Sequence, residues 1–534
     1  MRLVKASEIQ EMDRKTIQEL GIPGVVLMEN AGRGASRAFL EHFLPEPEAT
    51  VAIVCGRGNN GGDGYVVARY LHNAGLKPVV IVLANKGDIR GDALVNLKVI
   101  QAMGLKIMET PELESWQKVR EILNKAQYVV DAILGTGINS PVREFYAKVI
   151  EEINTLGKPV MAIDIPSGLN ADTGAIMGVA VRADLTVTFG FPKVGTFIFP
   201  GASFAGRIVR IDISIPEQVS SQVQSFARLT EPHHIMDALL PPKPDIHKGH
   251  RGHLLILAGS PGKTGAASLA ALGALRAGAG LVTVGVPANL NPIIEAKLTE
   301  AMSIPLPETQ EGTLSLAVLD MMPELLEGKT ALALGPGLTT NPQTAKLVRE
   351  ILTYCPIPMV IDADGVNALA GHSQLINGAK APVVLTPHPG EMARLIDSTS
   401  AHVQSDRIGV ATSFVQSHPC CLVLKGARTL IVTRDGQLWI NPTGNPALAS
   451  GGSGDVLTGL VGGFLARRIS PELSAISGVY IHGLAADFLA QEMGEAGLMA
   501  GELLEVIPHL TLSLSQDQWP LREPPLHGDL YQPL

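Results

Sequence analysis

Short apolar runs punctuate the chain, each followed by a glycine-rich turn and a stretch of helical pattern. The first series falls at residues 51–55, 79–83, 128–133 and 160–165. A second series falls at 254–258, 281–286, 331–334, 359–361, 383–385 and 422–424. Runs without interleaved polar residues suit parallel strands covered on both faces. Their alternation with helices predicts βαβ units and doubly wound sheets, an α/β fold throughout. Between the two series the rhythm breaks. A Gln- and Ser-rich stretch over 215–227 leads into the Pro-rich string PPKPDIHKGHRG. This places a boundary near residue 225, giving domains 1–224 and 225–534, with a short helix over 231–240 opening the second. Both lengths suit single α/β domains. No motif repeats between the halves, so a fusion of unlike modules is expected. The Pro-rich tail after Leu514 is expected to be a loose end.

Composition narrows the function classes. With 534 residues, 46% hydrophobic and 17% charged, the chain can bury large cores and is not disordered. No run of about 18 uncharged apolar residues is expected to span a membrane. A net charge of −9 argues against a broad nucleic-acid surface. It leaves room for an anionic small ligand held by backbone amides and one or two lysines. Cys55, Cys355, Cys420 and Cys421 form no CxxC pair and no metal spacing. Cys55, Cys420 and Cys421 lie in or beside apolar runs and read as buried thiols. The N-terminal stretch has no apolar core of a signal peptide, and a reducing, cytoplasmic location fits.

The run at 51–55 enters GRGNNGGDG, residues 56–64, and YVVARYLHNAG then reads as a helix. Gly56, Gly58 and Gly61 match the dinucleotide fingerprint only loosely. Asp63 stands where a pyrophosphate would sit, and like charges repel. Asn59, Asn60 and Asp63 instead offer oxygens for a hard cation and amides for a phosphate. VVDAILGTGINSPV follows, with Asp131 at a strand end and a second glycine turn. VMAIDIPSGLNADTG then carries Asp164 and Ser167 at the next strand end. In an open sheet these ends face one crevice.

The strings NNGGDG, DAILGTG, DIPSGLNADTG and TFGFPKVG, in this order, resemble the YjeF N-terminal domain, a Rossmann-like NAD(P)HX epimerase. The resemblance implies that Asn59, Asn60, Gly61, Gly62 and Asp63 bind the hydrated dinucleotide. Gly135, Thr136, Gly137, Ile138, Asn139, Ser140, Pro141 and Asp164 would join them. Asn60, Asp131 and Ser167 would hold potassium. Inversion at C6 of the hydrated ring needs an acid and a base on opposite faces. Asp164 and Lys193 are the candidates, with a phosphate contact the other reading of Lys193.

In the second half, LAGSPGKTGAAS has its glycines three apart, which denies a true P-loop. Gly451, Gly452, Ser453 and Gly454 lead into Asp455 and an apolar helix. Amides at such a helix start favour an anion. An aspartate there can take a proton from an attacking hydroxyl while the amides hold the phosphoryl group. Lys425, Gly426, Ala427, Arg428 and Thr429 form a natural nucleotide loop after a strand. Asp364, Asn367 and Glu391 are candidates for Mg²⁺ held through water.

The set LAGS, GPG, DADGVNAL, TPHPGE and NPTGN with GGSGD resembles the ribokinase-like superfamily, and within it the YjeF C-terminal domain, an ADP-dependent NAD(P)HX dehydratase. That resemblance implies Asp455 as base, nucleotide contacts from Lys425 to Thr429 and from Gly454, and substrate contacts from Ala266, Gly337, His388 and Asp455. Mg²⁺ would accompany ADP. The combined expectation is a bifunctional enzyme acting on NADHX and NADPHX with ADP. Neither a nucleic-acid nor a membrane partner is expected, and a homo-oligomer is a fold-level expectation. Two other readings stay open: an ATP-using small-molecule kinase, and a non-catalytic binding module in the first half.

Overall fold

The computed structural model describes residues 1–241 and 247–522. Residues 242–246 of the Pro-rich string and 523–534 of the expected loose tail lie outside the described residues. The chain divides into two compact units, Arg2–Ala227 and Arg228–Arg522, the latter taken with Met1.

The first unit carries a seven-stranded sheet. Its order is Lys106–Glu109, Lys77–Val82, Thr50–Cys55, Tyr128–Ala132, Val160–Ile163, Leu185–Phe189, Arg207–Ile211. All neighbours run parallel. Successive residues feed opposite layers, as the period of two requires. Val51, Ile53 and Cys55 join a core with Phe39, Leu71 and Leu97. Ala52 and Val54 join another with Trp116, Val119 and Ile150. Chain order reverses between Thr50–Cys55 and Tyr128–Ala132, and a crevice opens at such a reversal.

The helix after Thr50–Cys55 is Asn59–Asn73, so it begins at NNGGDG and not at Tyr65 as the pattern predicts. The glycines are packing positions within it. A Cβ on Gly62 would stand 2.7 Å from the Met28 Cε and 2.9 Å from the Ala93 Cα. The helix can lie this low only without side chains there. Two helices precede the sheet, Ala6–Gln18 and Gly24–Phe43.

In the second unit the order from Leu438–Ile440 to Met302–Leu306 runs through Leu430–Val432, Cys421–Leu424, Val383–Leu385, Met359–Ile361, Ala331–Leu334, His253–Leu257 and Leu281–Pro287. From Cys421–Leu424 onward the pairs are parallel, while Leu430–Val432 pairs antiparallel on both sides. Here the reversal lies between His253–Leu257 and Ala331–Leu334. The Ala-rich helix Thr264–Arg276 packs on Ser453–Ala466. A Cβ on Gly459 would meet the Ala270 carbonyl oxygen at 2.2 Å, which explains the small residues on both helices. The helix opening this unit is Pro232–Leu239. Pro471–Met493 is long and apolar enough to cross a membrane, but 78% of its most apolar window is buried. Its Ile476, Val479, Tyr480 and Leu484 belong to the unit's core. All four cysteines are buried and unpaired.

Candidate functional site

At the first reversal lies a cavity of ≈ 770 Å³. Asn59, Asn60 and Asp63 line it from the helix start, and residues 135–141 from the loop after Tyr128–Ala132. Asp164 and Lys193 line it as well. Gly61 and Gly62, expected as ligand contacts, are not on the wall. Gly61 is pressed against the Gly56 carbonyl, and the Gly62 amide donates within the helix to Gly58 at 3.1 Å.

Lys193 is only 1% exposed. Its Nζ donates to Asp164 Oδ1, to the Phe189 carbonyl at 3.1 Å and to Thr188 Oγ1 at 3.3 Å. Asp164 sits at φ +66, and its Oδ1 also accepts from the Phe189 amide at 3.2 Å. The left-handed conformation is one that Asp tolerates better than most side chains. Lys193 and Asp164 therefore stand side by side as one ion pair. The two residues expected as acid and base thus reach the cavity together, joined by this contact. Three further carboxyls face the cavity, those of Asp13, Asp63 and Asp92. Burial, with Asp164 and Asp13 nearby, pushes Asp63 well above the carboxylate range despite Lys193. Burial also pushes Asp13 up to about 6, Asp164 adding to it and Lys193 opposing it.

Asn60, Asp131 and Ser167 converge beneath this cavity. Asp131 Oδ1 accepts from Ser167 Oγ at 2.6 Å and Oδ2 from the Ser167 amide at 2.8 Å. Asn60 Nδ2 and Ser167 Oγ both donate to the Leu134 carbonyl, at 3.2 and 3.1 Å. Burial pushes Asp131 up to about 6, although its bonds from Ser167 and Ile133 oppose that. A buried carboxylate among neutral oxygens fits a hard monovalent cation, which would restore its charge.

In the second unit the loops of the reversal interlock. The Gly259 amide donates to the Pro336 carbonyl at 2.8 Å, and Ser260 Oγ to the Gly337 carbonyl at 2.7 Å. A Cβ on Gly337 would stand 3.4 Å from the Ala266 Cβ, so these two expected contacts are neighbours. Asp455 is the third residue of the helix Ser453–Ala466, behind Gly452 at φ +92. Burial pushes its carboxyl up to about 6, with Asp362 adding and Lys425 opposing.

Lys425 Nζ lies 2.6 Å from Asp362 Oδ1 and 3.9 Å from Glu391 Oε2. Burial works against its charge, but Asp362 and Glu391 outweigh burial and hold the ammonium above its ordinary range. Asp362 Oδ2 accepts from Thr458 Oγ1 at 2.6 Å. A Cβ on Gly454 would stand 3.6 Å from Lys425 Nζ, so the helix start and the strand-end lysine meet. His388 Nδ1 accepts from the Gly390 amide at 2.9 Å, and Nε2 lies 3.3 Å from Glu391 Oε1. Burial, Lys425 and Arg394 push its imidazole down, toward the neutral form.

Gly426 and Ala427 are exposed, as a nucleotide loop requires. Arg407 braces them from behind by donating to the Ala427 carbonyl at 2.6 Å and the Leu424 carbonyl at 3.1 Å. Arg428 turns inward instead, donating to the Pro442 carbonyl, and Thr429 Oγ1 bonds the Gly426 carbonyl at 3.0 Å. Asp364, Asn367 and Glu391 do not form an open Mg²⁺ cradle. Asp364 holds Lys263 at 3.1 Å and the Thr339 amide at 2.8 Å. Asn367 Oδ1 accepts from Arg394 and Glu391 Oε2 from the His388 amide, both at 2.8 Å.

Comparison with known proteins decides the family. A bifunctional NAD(P)H-hydrate repair enzyme of Moorella thermoacetica is 44% identical over 97% of this chain and 98% of its own. The chain belongs to the family of bifunctional NAD(P)H-hydrate repair enzymes. Another member, from Thermofilum pendens, is 37% identical over 97% of each chain. A family model for YjeF-related protein N-termini matches residues 24–195, and one for NAD(P)H-hydrate dehydratase matches 254–509. Among solved structures, an ADP/ATP-dependent NAD(P)H-hydrate dehydratase from Bacillus subtilis is 34% identical over 53% of this chain and 97% of its own, with a TM-score of 0.46.

In this repair-enzyme chain, two site carboxylates carry little signal in the sequence. Asp362 opens the string DADGVNAL, where Asp364 is the expected ligand. The rule that a polar residue directly after a buried strand faces the crevice would have selected Asp362. Asp13 lies in the N-terminal helix outside every quoted motif. Its only signal is a carboxylate next to Met12, on the buried side of that helix.

Proposed function

We propose that this chain repairs hydrated nicotinamide dinucleotides in two steps, with residues 1–224 as epimerase and 225–534 as dehydratase. The first unit interconverts the R and S epimers of NADHX and NADPHX. The second dehydrates the S epimer, consuming ADP and releasing AMP and phosphate. The observation that carries the reading is one cavity or crevice at each sheet reversal, each with its own carboxylate–lysine apparatus.

In the first unit, Asn59, Asn60, Asp63 and residues 135–141 embrace the dinucleotide. Asn60, Asp131 and Ser167 would hold potassium, whose charge would offset that of the buried Asp131 carboxylate. The Lys193 ammonium, steadied by Asp164, supplies the proton for opening the hemiaminal at C6.

In the second unit, Asp455 takes the proton of the C6 hydroxyl. The oxygen attacks the β-phosphoryl group of ADP, and AMP leaves with the bonding pair. Gly454 and the helix start offer amides to the transferring group. Phosphate then departs from C6 with the C–O pair, assisted by the ring-nitrogen lone pair, and loss of a C5 proton restores the double bond. Lys425 and residues 426–429 hold the nucleotide, while Ala266, Gly337 and His388 face the dinucleotide. Mg²⁺ would accompany ADP and neutralise charge on its phosphates. The reading includes a cytoplasmic location and small-molecule substrates, without nucleic-acid or membrane partners. Self-association stays an expectation of the fold.

The test uses S-NADHX with ADP, Mg²⁺ and purified protein. The reading expects stoichiometric NADH, AMP and phosphate. A phosphorylated product that accumulates without NADH would return the second unit to the kinases.

A further inference from the structure

The Asp164–Lys193 contact leaves the epimerase chemistry half-equipped. Opening and reclosing a hemiaminal needs one group for the hydroxyl proton and another for the ring nitrogen. An ion pair whose members share a proton bridge is one such group. We propose that Asp13, on the helix Ala6–Gln18, is the missing partner: the base that exchanges a proton with the C6 hydroxyl. This inference rests on the epimerase reading of the first unit.

Three observations carry it. Asp13 lines the cavity that Asp164 and Lys193 also line, and reaches it from a different element. Its Oδ1 is buried and has no hydrogen-bond partner, so it is an acceptor without a donor. Buried polar oxygens are normally satisfied, and an orphan facing a ligand cavity marks a place for a ligand donor. Burial also tunes its proton affinity to about 6, close to working pH, where a group can both take and return a proton.

The charged groups facing this cavity besides Asp13 are Asp63, Asp164, Lys193, Asp92, Arg57 and Arg143. Lys193 lowers and Asp164 raises the Asp13 affinity. The short helix Glu217–Ser220 also packs against the Asp13 helix, and its one charged residue, Glu217, is exposed.

The step balances. Asp13 takes the C6 hydroxyl proton while the O–H pair forms the C6=O bond. The C6–N1 pair moves onto the ring nitrogen, which takes a proton from Lys193. Rotation about C5–C6 presents the other carbonyl face. The nitrogen adds back, returning its proton to Lys193, and the oxygen recovers its proton from Asp13. No redox partner is required, and the product differs only in configuration.

The experiment follows interconversion of resolved NADHX epimers by chromatography, with the full chain and K⁺, from pH 5 to 9. Wild-type activity is expected to rise as pH climbs through about 6, because Asp13 must be ionised. Asp13→Asn is expected to lose about a hundredfold in kcat with little change in KM, and to lose that limb. Asp13→Asn within threefold of wild type, or with the limb intact, would overturn the inference. Should Asp13→Asn fail to fold, Asp13→Glu decides. The expected result is partial activity with a displaced limb, and an unchanged limb would overturn the inference. A wild-type chain without epimerisation would defeat the reading of the unit itself, a separate outcome.

Discussion

The two units build their sites from the same parts and wire them differently. Each has a sheet reversal, aspartates after buried strands and a lysine paired with one of them. In the first, Lys193 pairs with Asp164 itself, and burial leaves Asp13 and Asp63 with raised proton affinity. In the second, Lys425 is taken up by Asp362, and Asp455 stands apart with its affinity pushed up to about 6. The choice of partner for the lysine decides which carboxylate is tied up in an ion pair and which is left open to the crevice. Repeated ingredients at equivalent places therefore do not imply repeated roles.

The largest effect is expected from Asp455→Asn. Dehydration is expected to fall by about three orders of magnitude, within the usual reach of general-base catalysis, with epimerisation unchanged. Both are read on one preparation, by NADH absorbance and by epimer chromatography. Next is Lys193→Met, which leaves Asp164 without its cation. Removing one partner of a buried pair costs about 3 kcal/mol, so the first unit should melt earlier while the second keeps its transition. Epimerisation should be lost in the same variant, and equal melting of both units would show that the pair is not buried in solution.

The pH profile sharpens the contrast further. Dehydration should rise as pH climbs through about 6, because Asp455 works deprotonated and is raised by burial first and Asp362 second. Asp362→Asn removes a charge that raises Asp455, so the limb should move to lower pH. A limb that moves upward would mean that losing the Asp362–Lys425 bond dominates. The smallest effect is Gly62→Ala. The new methyl would stand 2.7 Å from Met28 and 2.9 Å from Ala93, costing about 1–3 kcal/mol in the first unit alone.

Much of the fold was legible in the chain. Uninterrupted apolar runs mark the buried parallel strands, and residues 331–334, 359–361 and 383–385 coincide with strands Ala331–Leu334, Met359–Ile361 and Val383–Leu385. Strands with charged residues, such as Arg207–Ile211 and Lys106–Glu109, gave no such run and were not read. NNGGDG looked like a loop because glycine normally breaks helices. Its glycines are there because Met28, Ala93 and the Gly56 carbonyl leave no room for a Cβ. Asp164, Lys193 and Asp455 were legible from their motifs. The pairing of Lys193 with Asp164, and of Lys425 with Asp362, was not, since residues 29 and 63 positions apart meet only through the sheet.

Two crevices that act in series on one substrate pool should complement each other when they sit on different chains. Asp164→Asn and Asp455→Asn chains are given both NADHX epimers with ADP, Mg²⁺ and K⁺, singly and mixed, and NADH absorbance is followed. Asp164→Asn alone should recover the S fraction quickly and then stall at the spontaneous rate, and Asp455→Asn alone should recover almost nothing. The mixture should run to completion at a rate above spontaneous epimerisation. A mixture that stalls where Asp164→Asn stalls would contradict the account.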